Sequence, residues 1–311
     1  MRVSTNQFSN SLVNQLGQLA TRQDRLQTEA ATGRRLRKVS DDPVSARRLM
    51  DLQAQAGTVA QYQKNIGRLQ DASTAGFTSL RAVQKVSNRA GEIATLAGGL
   101  KTPESLNAYA AEINKLIHQA AGELNRKQGD GYLFGGTKTD QPPFVVETDA
   151  NGDITAVTYQ GNTAANASEI AEGVTLAATV PGANTTGDGP KGLASDSRSG
   201  ADLFNHLIAL RNNLRAGDTA AIANTNRAEL QNDEAHFLDQ LGEFGATQAR
   251  LESATSSASE RSTAIAAESS REGDADLAET LVRITETQTA YQATLQSAAK
   301  LMNLSLMDYL R

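Results

Sequence analysis

The stretch Leu277–Tyr309 holds neither Gly nor Pro, and one set of its residues steps by four and three from end to end. That set is Leu277, Leu281, Ile284, Gln288, Tyr291, Leu295, Ala298, Met302, Ser305 and Tyr309. A four–three step is the a/d seam of a coiled coil, and a seam needs a second helix of similar length to cover it. Val282, Leu304, Leu306 and Leu310 add apolar positions off the seam. The helix therefore carries more apolar surface than a single partner covers. A partner is available at the other end of the chain, where Leu12, Leu16, Leu19, Gln23, Leu26 and Ala30 repeat the same rhythm.

Ser4 or Thr5 is placed to cap that first helix, and Gly33 to end it in the left-handed conformation. A basic turn follows, Arg34, Arg35, Arg37 and Lys38. It reads either as a solvated helix end or as a contact for an acidic partner surface. Ser40-Asp41-Asp42-Pro43 is a helix start: Asp42 caps, and Pro43 takes the first helical position, where a missing N–H costs nothing. A very long helix then runs to about Gly98, with Ile66, Leu69, Ser73, Gly76, Leu80, Val83, Ser87, Ala90, Ala94 and Ala97 on its seam. Pro103 opens another, carrying Leu106, Ala110, Ile113, Ile117, Ala120 and Leu124 on one face. Gln128 to Gly131 breaks it, and Tyr132-Leu133-Phe134 reads as a short β run.

From Phe144 the pattern changes to short strand-like runs, with Asn151-Gly152 suited to a type I′ hairpin turn. Helix resumes at Ala201–Ala216 and again from about Thr219, where Leu230, Glu234, Phe237, Leu241, Phe244, Gln248, Leu251, Thr255, Ala258, Ser262 and Ile265 share a seam that breaks at Gly273. The expected fold is mainly α: long antiparallel helices, coiled-coil-like in the terminal and middle domains, with a small β-rich insertion at the far end. The expected division pairs 1–40 with 275–311 as terminal helices, 41–140 with 196–274 as a helical rod, and leaves 141–195 as the insertion.

Composition supports long helices over a large globular core, because only 4% of the 311 residues are aromatic and none is Trp. A net charge of −5 gives no support for nucleic-acid binding. The absence of Cys excludes disulfides and thiolate metal sites. No apolar run is long enough to span a bilayer, and the N-terminus lacks the apolar core of a signal peptide, so export is expected only by a specialised route. No metal or cofactor is expected, and no catalytic residues. Gly187–Gly192 matches G-x-G-x-x-G inside a Pro-containing loop, without the strand and helix a dinucleotide site needs. Asp149, Asn151 and Asp153 begin like a calcium loop, but Ile154 and Gln160 stand where its Gly and Glu belong. His118, His206 and His236 lack metal-ligand spacing. Asn166-Ala167-Ser168 and Asn184-Thr185-Thr186 fit the N-glycosylation pattern.

Four stretches carry a further signal: the N-terminal MRVSTNQF; Ala31-Thr32-Gly33-Arg34-Arg35-Leu36 with Ser40 to Val44; Asp130 to Asp140 (DGYLFGGTKTD) with Pro142-Pro143-Phe144; and Gln288 to Ala293 with Leu304 to Leu310. They resemble the bacterial flagellin superfamily, and within it the hook-associated junction proteins, with filament-forming flagellin as the alternative. The resemblance implies a structural adaptor in the flagellum, not an enzyme. Its paired terminal helices would form an inner assembly domain. Implied partners are copies of itself, the first hook-associated protein on the hook side, flagellin on the filament side, and a cytosolic export chaperone on the C-terminal region. Export through the flagellar type III apparatus would place it outside the cell at the hook–filament junction. On this reading Leu281, Ile284, Tyr291, Leu295 and Met302 pack on the N-terminal helix, against Leu12, Leu16, Leu19 and Leu26. Val282, Leu304 and Leu306 face neighbouring subunits.

Overall fold

The computed structural model describes residues 2–99 and 101–309, with side chains over 10–99 and 101–300. Helix α1 (Arg2–Thr32) is followed by α2 (Pro43–Ala97) and α3 (Pro103–Leu124). A run of short strands follows: β1 (Lys127–Gln128), β2 (Gly131–Tyr132), β3 (Phe144–Thr148), β4 (Ile154–Tyr159), β5 (Ala167–Ala171), β6 (Val174–Ala177), β7 (Ala183–Asn184), β8 (Ser195–Asp196) and β9 (Ala201–Asp202). The chain returns as α4 (Leu203–Ala216), the single turn α5 (Thr219–Ala221), a π-helical turn Ile222–Asn226, α6 (Arg227–Gly273) and α7 (Leu277–Tyr309). At 55 residues α2 is about 80 Å long.

Two compact units divide the chain: Met1–Thr58 with Arg261–Arg311, and Val59–Glu260. The boundary falls inside α2 and α6, not at the turns near 40 and 275. The first turns of α2 and the last of α6 thus belong with the termini, and the β segment shares a unit with the middle helices.

In the Val59–Glu260 unit every seam residue of α2 from Ile66 to Ala97 is buried, as are all six of α3 and Leu203, Leu207, Leu210 and Leu214 of α4. Thr102 caps α3 ahead of Pro103. Along α6, Leu230, Phe237, Phe244 and Leu251 are buried, and the seam also takes in Asp233, His236 and Gln240. The strands are part of this core. Phe134, Phe144, Ile154 and Leu193 lie in one cluster with Leu80, Ile113, Leu207 and Phe237. β3 and β4 pair antiparallel, as do β5 and β6, while β8 joins β7 in parallel and β9 antiparallel.

Several local expectations need correction. α1 is helical from Arg2, so Ser4 and Thr5 lie within it instead of capping it. Only Tyr132 of the Tyr-Leu-Phe run is strand, paired in β2 with Gly131 ahead of it, because Leu133 and Phe134 turn into the core. The β3–β4 turn is not type I′, since no residue but Gly has positive φ. Instead the Asp149 carboxylate accepts the N–H groups of Asn151 and Asp153 at 2.9 and 2.8 Å, and Gly152 alone is left-handed. Asn184 is fully buried. Its amide donates to the carbonyls of Asp188 and Pro190, both at 2.7 Å, and its carbonyl accepts from Thr186 and Gly187, so this asparagine organises the glycine loop and is closed to a glycan.

Two polar nodes hold the β segment, one within it and one tying it to the helices of its unit. Tyr159 Oη meets the carbonyls of Phe134 and Asn162 at 2.8 and 3.0 Å and accepts the Gly182 N–H at 3.2 Å. Burial pushes its phenol up to about 12. A Cβ on Gly136, Gly161 or Gly182 would approach neighbouring atoms to 2.3–2.6 Å, so the Phe-Gly-Gly stretch is glycine for want of room. At the second node, buried Arg211 donates to Ile154 O at 2.6 Å and Asn114 Oδ1 at 3.0 Å, joining α4, β4 and α3. Arg215 pairs with Asp153 beside it, and that hydrogen bond holds the carboxyl below its ordinary value.

Candidate assembly surface at the paired termini

The unit formed by Met1–Thr58 and Arg261–Arg311 is built on the antiparallel pair α1 and α7. Where α1 ends, Gly33 takes φ +66° and donates to Glu29 O at 2.9 Å, closing the last turn. The chain then pairs with the residues that lead into α7. Arg35 N–H donates to Gly273 O at 2.8 Å, Ala275 N–H donates to Gly33 O at 2.9 Å, and Arg34 bridges Asp274. The Arg35 guanidinium donates to Glu272 O at 2.8 Å and to Ser45 Oγ at 3.3 Å. Arg48 forms ion pairs with Glu268 at 2.9 Å and Glu272 at 3.1 Å. Leu49 touches the Gly273 position closely enough that a Cβ there would sit 3.3 Å from it.

The helix-start motif divides its labour. Asp42 Oδ1 accepts the N–H groups of Val44 and Ser45, both at 3.1 Å, and caps α2 at Pro43. Hydrogen bonds from Ser45 hold its carboxyl below the usual range. Asp41 Oδ2 accepts the N–H groups of Lys38 and Arg37 at 3.0 and 3.2 Å, which shape the preceding turn and lower that carboxyl too. Ser40 is exposed.

On α1, Leu26 is buried and Leu12, Leu16 and Leu19 are half-buried. On α7 the covered stripe is Thr280, Ile284, Thr287, Tyr291, Thr294 and Ala298. Thr280 and Thr287 are each 4% exposed, whereas Leu281 is 57% and Leu295 43% exposed. The placing of Leu281 and Leu295 in the helix pair is therefore corrected, and Leu277 and Gln288 are exposed with them. The reason is that the four–three rhythm fits two registers sharing Ile284, Tyr291 and Ala298. The remaining seam positions are either Leu281, Gln288 and Leu295 or Thr280, Thr287 and Thr294. The threonines win because each hydroxyl donates to its own helix, to the carbonyls of Asp276, Arg283 and Ala290 at 2.7 Å, leaving its methyl to pack. Val282 is 55% exposed. Met302, Leu304 and Leu306 lie outside the residues whose side chains are described.

The result is a helix on which Leu277, Leu281 and Leu295 flank its own seam and face outward. Exposed apolar area concentrated on one element of a paired helix marks an interaction surface. Elsewhere, no group of three or more His, Asp or Glu is placed to hold a metal ion among the described residues, and no described helix is long and apolar enough to cross a membrane. One relationship escaped the sequence reading. His206 Nδ1 lies 2.8 Å from Asp233 Oδ2, joining α4 to α6, with partners 27 residues apart and no motif between them.

Known proteins match this architecture. Residues 3–139 match the bacterial flagellin N-terminal helical region, and residues 219–310 match the bacterial flagellin C-terminal helical region. This chain belongs to the bacterial flagellin family. Flagellar hook-associated protein 3 of Escherichia coli strain K12 is 25% identical over 295 residues, covering 90% of each chain. Among solved structures, a putative flagellar hook-associated protein from Vibrio parahaemolyticus has a TM-score of 0.63 at 21% identity, covering 75% of this chain and 100% of that one. The flagellar junction protein from Legionella pneumophila has a TM-score of 0.52 at 15% identity, covering 66% of this chain and 99% of that one. The flagellin-family regions thus take in α1–α3 and α5–α7, while the segment from 140 to 218 between them holds most of the strands.

Proposed function

We propose that this flagellin-family chain is a structural adaptor subunit of the bacterial flagellum, joining the hook-associated region to the flagellin filament. The observation that carries the reading is end-to-end similarity to a hook-associated protein, 90% of each chain, against two separate family regions that flagellins share. The outward apolar face of α7 gives such a subunit something to assemble with.

Partners on this reading are further copies of the chain, the first hook-associated protein, flagellin, and a cytosolic chaperone that covers the C-terminal region before export. Leu281, Val282 and Leu295 make the inter-subunit contacts, continued by Leu304 and Leu306, while Leu12, Leu16, Leu19, Leu26, Ile284, Tyr291 and Met302 hold the pair together. The paired termini form the inner assembly layer and the β segment the outer one. A helix apolar on two sides gains its second cover only in the assembly, so burial of that face accompanies incorporation. Contacts along a tube are head-to-tail interfaces that do not close on a pair. The protein acts outside the cell after type III export and has no catalytic role.

Deletion of Thr285–Arg311 tests the assembly role: the truncated chain is expected to keep a folded Val59–Glu260 unit and to be missing from flagella. Normal incorporation of that truncation contradicts it. Long filaments formed by this chain in a flagellin-null strain would identify it instead as filament-forming.

A further inference from the structure

Charge is distributed unevenly along the chain. Met1–Thr58 with Arg261–Arg311 hold 14 Lys and Arg against 12 Asp and Glu, whereas Val59–Glu260 hold 16 against 23. The excess of cations is concentrated on α1 and the turn that follows it. Arg22, Arg25, Arg37 and Lys38 are exposed and have no hydrogen-bond or ion-pair partner for their side chains among the described residues. Arg25 and Lys38 both help lower the Asp41 carboxyl, so the helix cations and the turn cations lie on one patch. The turn is rigid, because Asp41 pins the backbone N–H groups of Arg37 and Lys38 and leaves their side chains free. Val39 and Val44, 55% and 79% exposed, flank it.

The complementary charges lie on α6. Among the described residues seven of the 23 carboxylates of the acidic unit have an ion pair: Glu92 and Glu112 with Arg89, Glu123 with Arg126, Asp153 with Arg215, Asp196 with Arg198, Asp233 with His206 and Asp239 with Lys191. Glu234, Glu252 and Glu260 are exposed and have no such partner among the described residues. Glu234 and Glu252 stand five turns apart on the same side of the helix, since each residue advances by about 100°. Between them the face carries exposed Leu238, and Gly242 and Gly245, where an added Cβ would meet nothing within 4 Å. From 228 to 260 the only Lys or Arg is Arg250, about 160° round the helix from Glu252.

We infer that the cationic turn after α1 docks on the outer face of α6 of a second copy of this chain, with Arg22, Arg25, Arg37 and Lys38 meeting Glu234, Glu252 and Glu260. The inference deepens the adaptor reading by naming the surface through which copies meet. The contact joins two different patches, so it is head-to-tail and propagates around or along a tube. Exposed charges add little affinity each, but opposed patches steer encounter and fix register, and they weaken with salt. Val39, Val44 and Leu238 supply the apolar part of the contact.

The absence of native Cys makes the test clean. The single variants Lys38→Cys and Glu252→Cys are co-expressed in motile cells, flagella are isolated, and a short bis-maleimide is added. The expected result is a cross-linked dimer that appears with the two variants together and with neither alone. Flagella that contain both variants by immunoblot and yield no dimer overturn the inference and leave the adaptor reading standing. Failure of the unmodified chain to enter flagella overturns the adaptor reading instead. A second arm reverses the charges. Arg37→Glu with Lys38→Glu should lower incorporation roughly tenfold, and adding Glu252→Lys with Glu260→Lys should restore it. Circular dichroism checks that the reversed chain is folded. A folded variant that is not restored also overturns the pairing.

Discussion

Arg35 N–H donates to Gly273 O at 2.8 Å, so the residue that leaves α1 is tied to the residue that ends α6, over 200 positions later in the chain. The same arginine's guanidinium reaches Glu272 O, and Arg48 holds Glu268 and Glu272. This clasp ties the end of α1 to the residues that lead into α7. Substituting Arg35→Ala is expected to destabilise the terminal unit by about 1.5–3 kcal/mol, the range for hydrogen bonds from a charged donor. Faster amide exchange confined to 29–34 and 273–280 is the expected signature, and unchanged exchange there contradicts the clasp.

Opposite outcomes are expected from two substitutions on α7. Ile284→Asp puts a charge in the covered stripe and should loosen the α1–α7 pair, with loss of helix by circular dichroism. Leu281→Asp, on a residue more than half exposed, should keep the helical signal and reduce incorporation into flagella. Equal loss of helix in both would mean the leucine register is the packed one.

The glycine positions around Tyr159 predict a packing defect. Gly182→Ala places a methyl about where the Phe144 ring sits, since a Cβ would come within 2.6 Å of it. A destabilisation of about 1–3 kcal/mol is expected in chemical unfolding, in line with overpacked cores. Tyr159→Phe removes the hydroxyl that joins Phe134 O, Asn162 O and Gly182 N–H, and should cost less, about 0.5–1.5 kcal/mol, because Gly182 N–H keeps its 2.7 Å bond to Phe134 O.

Asp233 and His206 predict a dependence on pH. Burial alone would push the imidazole down, but its hydrogen bond to the buried Asp233 carboxylate outweighs this and holds it above its ordinary value. A raised folded-state value means the imidazole's contribution is present below about pH 6.5, the unfolded value, while Asp233 stays ionised, and is lost as pH rises through the folded one; Asp233, raised by burial, gives up its part of the pair as pH falls through its own range. His206→Gln should flatten the stability–pH curve above pH 6.5. A slope unchanged by the substitution contradicts the assignment.

Much of this architecture was legible because long helices repeat their apolar spacing many times. Ile66 through Ala97 and Leu106 through Leu124 were placed in the core by spacing alone, and all are buried. The outer faces were harder. On α7, Leu281 and Thr280 satisfy the same four–three rule, and hydrophobicity favours the leucine. The outcome depends on a local fact that spacing does not carry, that a threonine hydroxyl is satisfied by its own helix. The Tyr-Leu-Phe-Gly-Gly stretch was recognisable, yet part of its cause, crowding of Gly136 by Asn162 and Ala164, lies in contacts more than ten residues away. His206 and Asp233 meet only through tertiary structure. Asn184 looked like a glycan acceptor until its burial was known.

The adaptor role is tested most directly by immunogold labelling of intact flagella with antibody to this chain. A single band at the distal end of the hook is the predicted result. Label distributed along the whole filament would contradict the role at the junction and assign the chain to the filament itself.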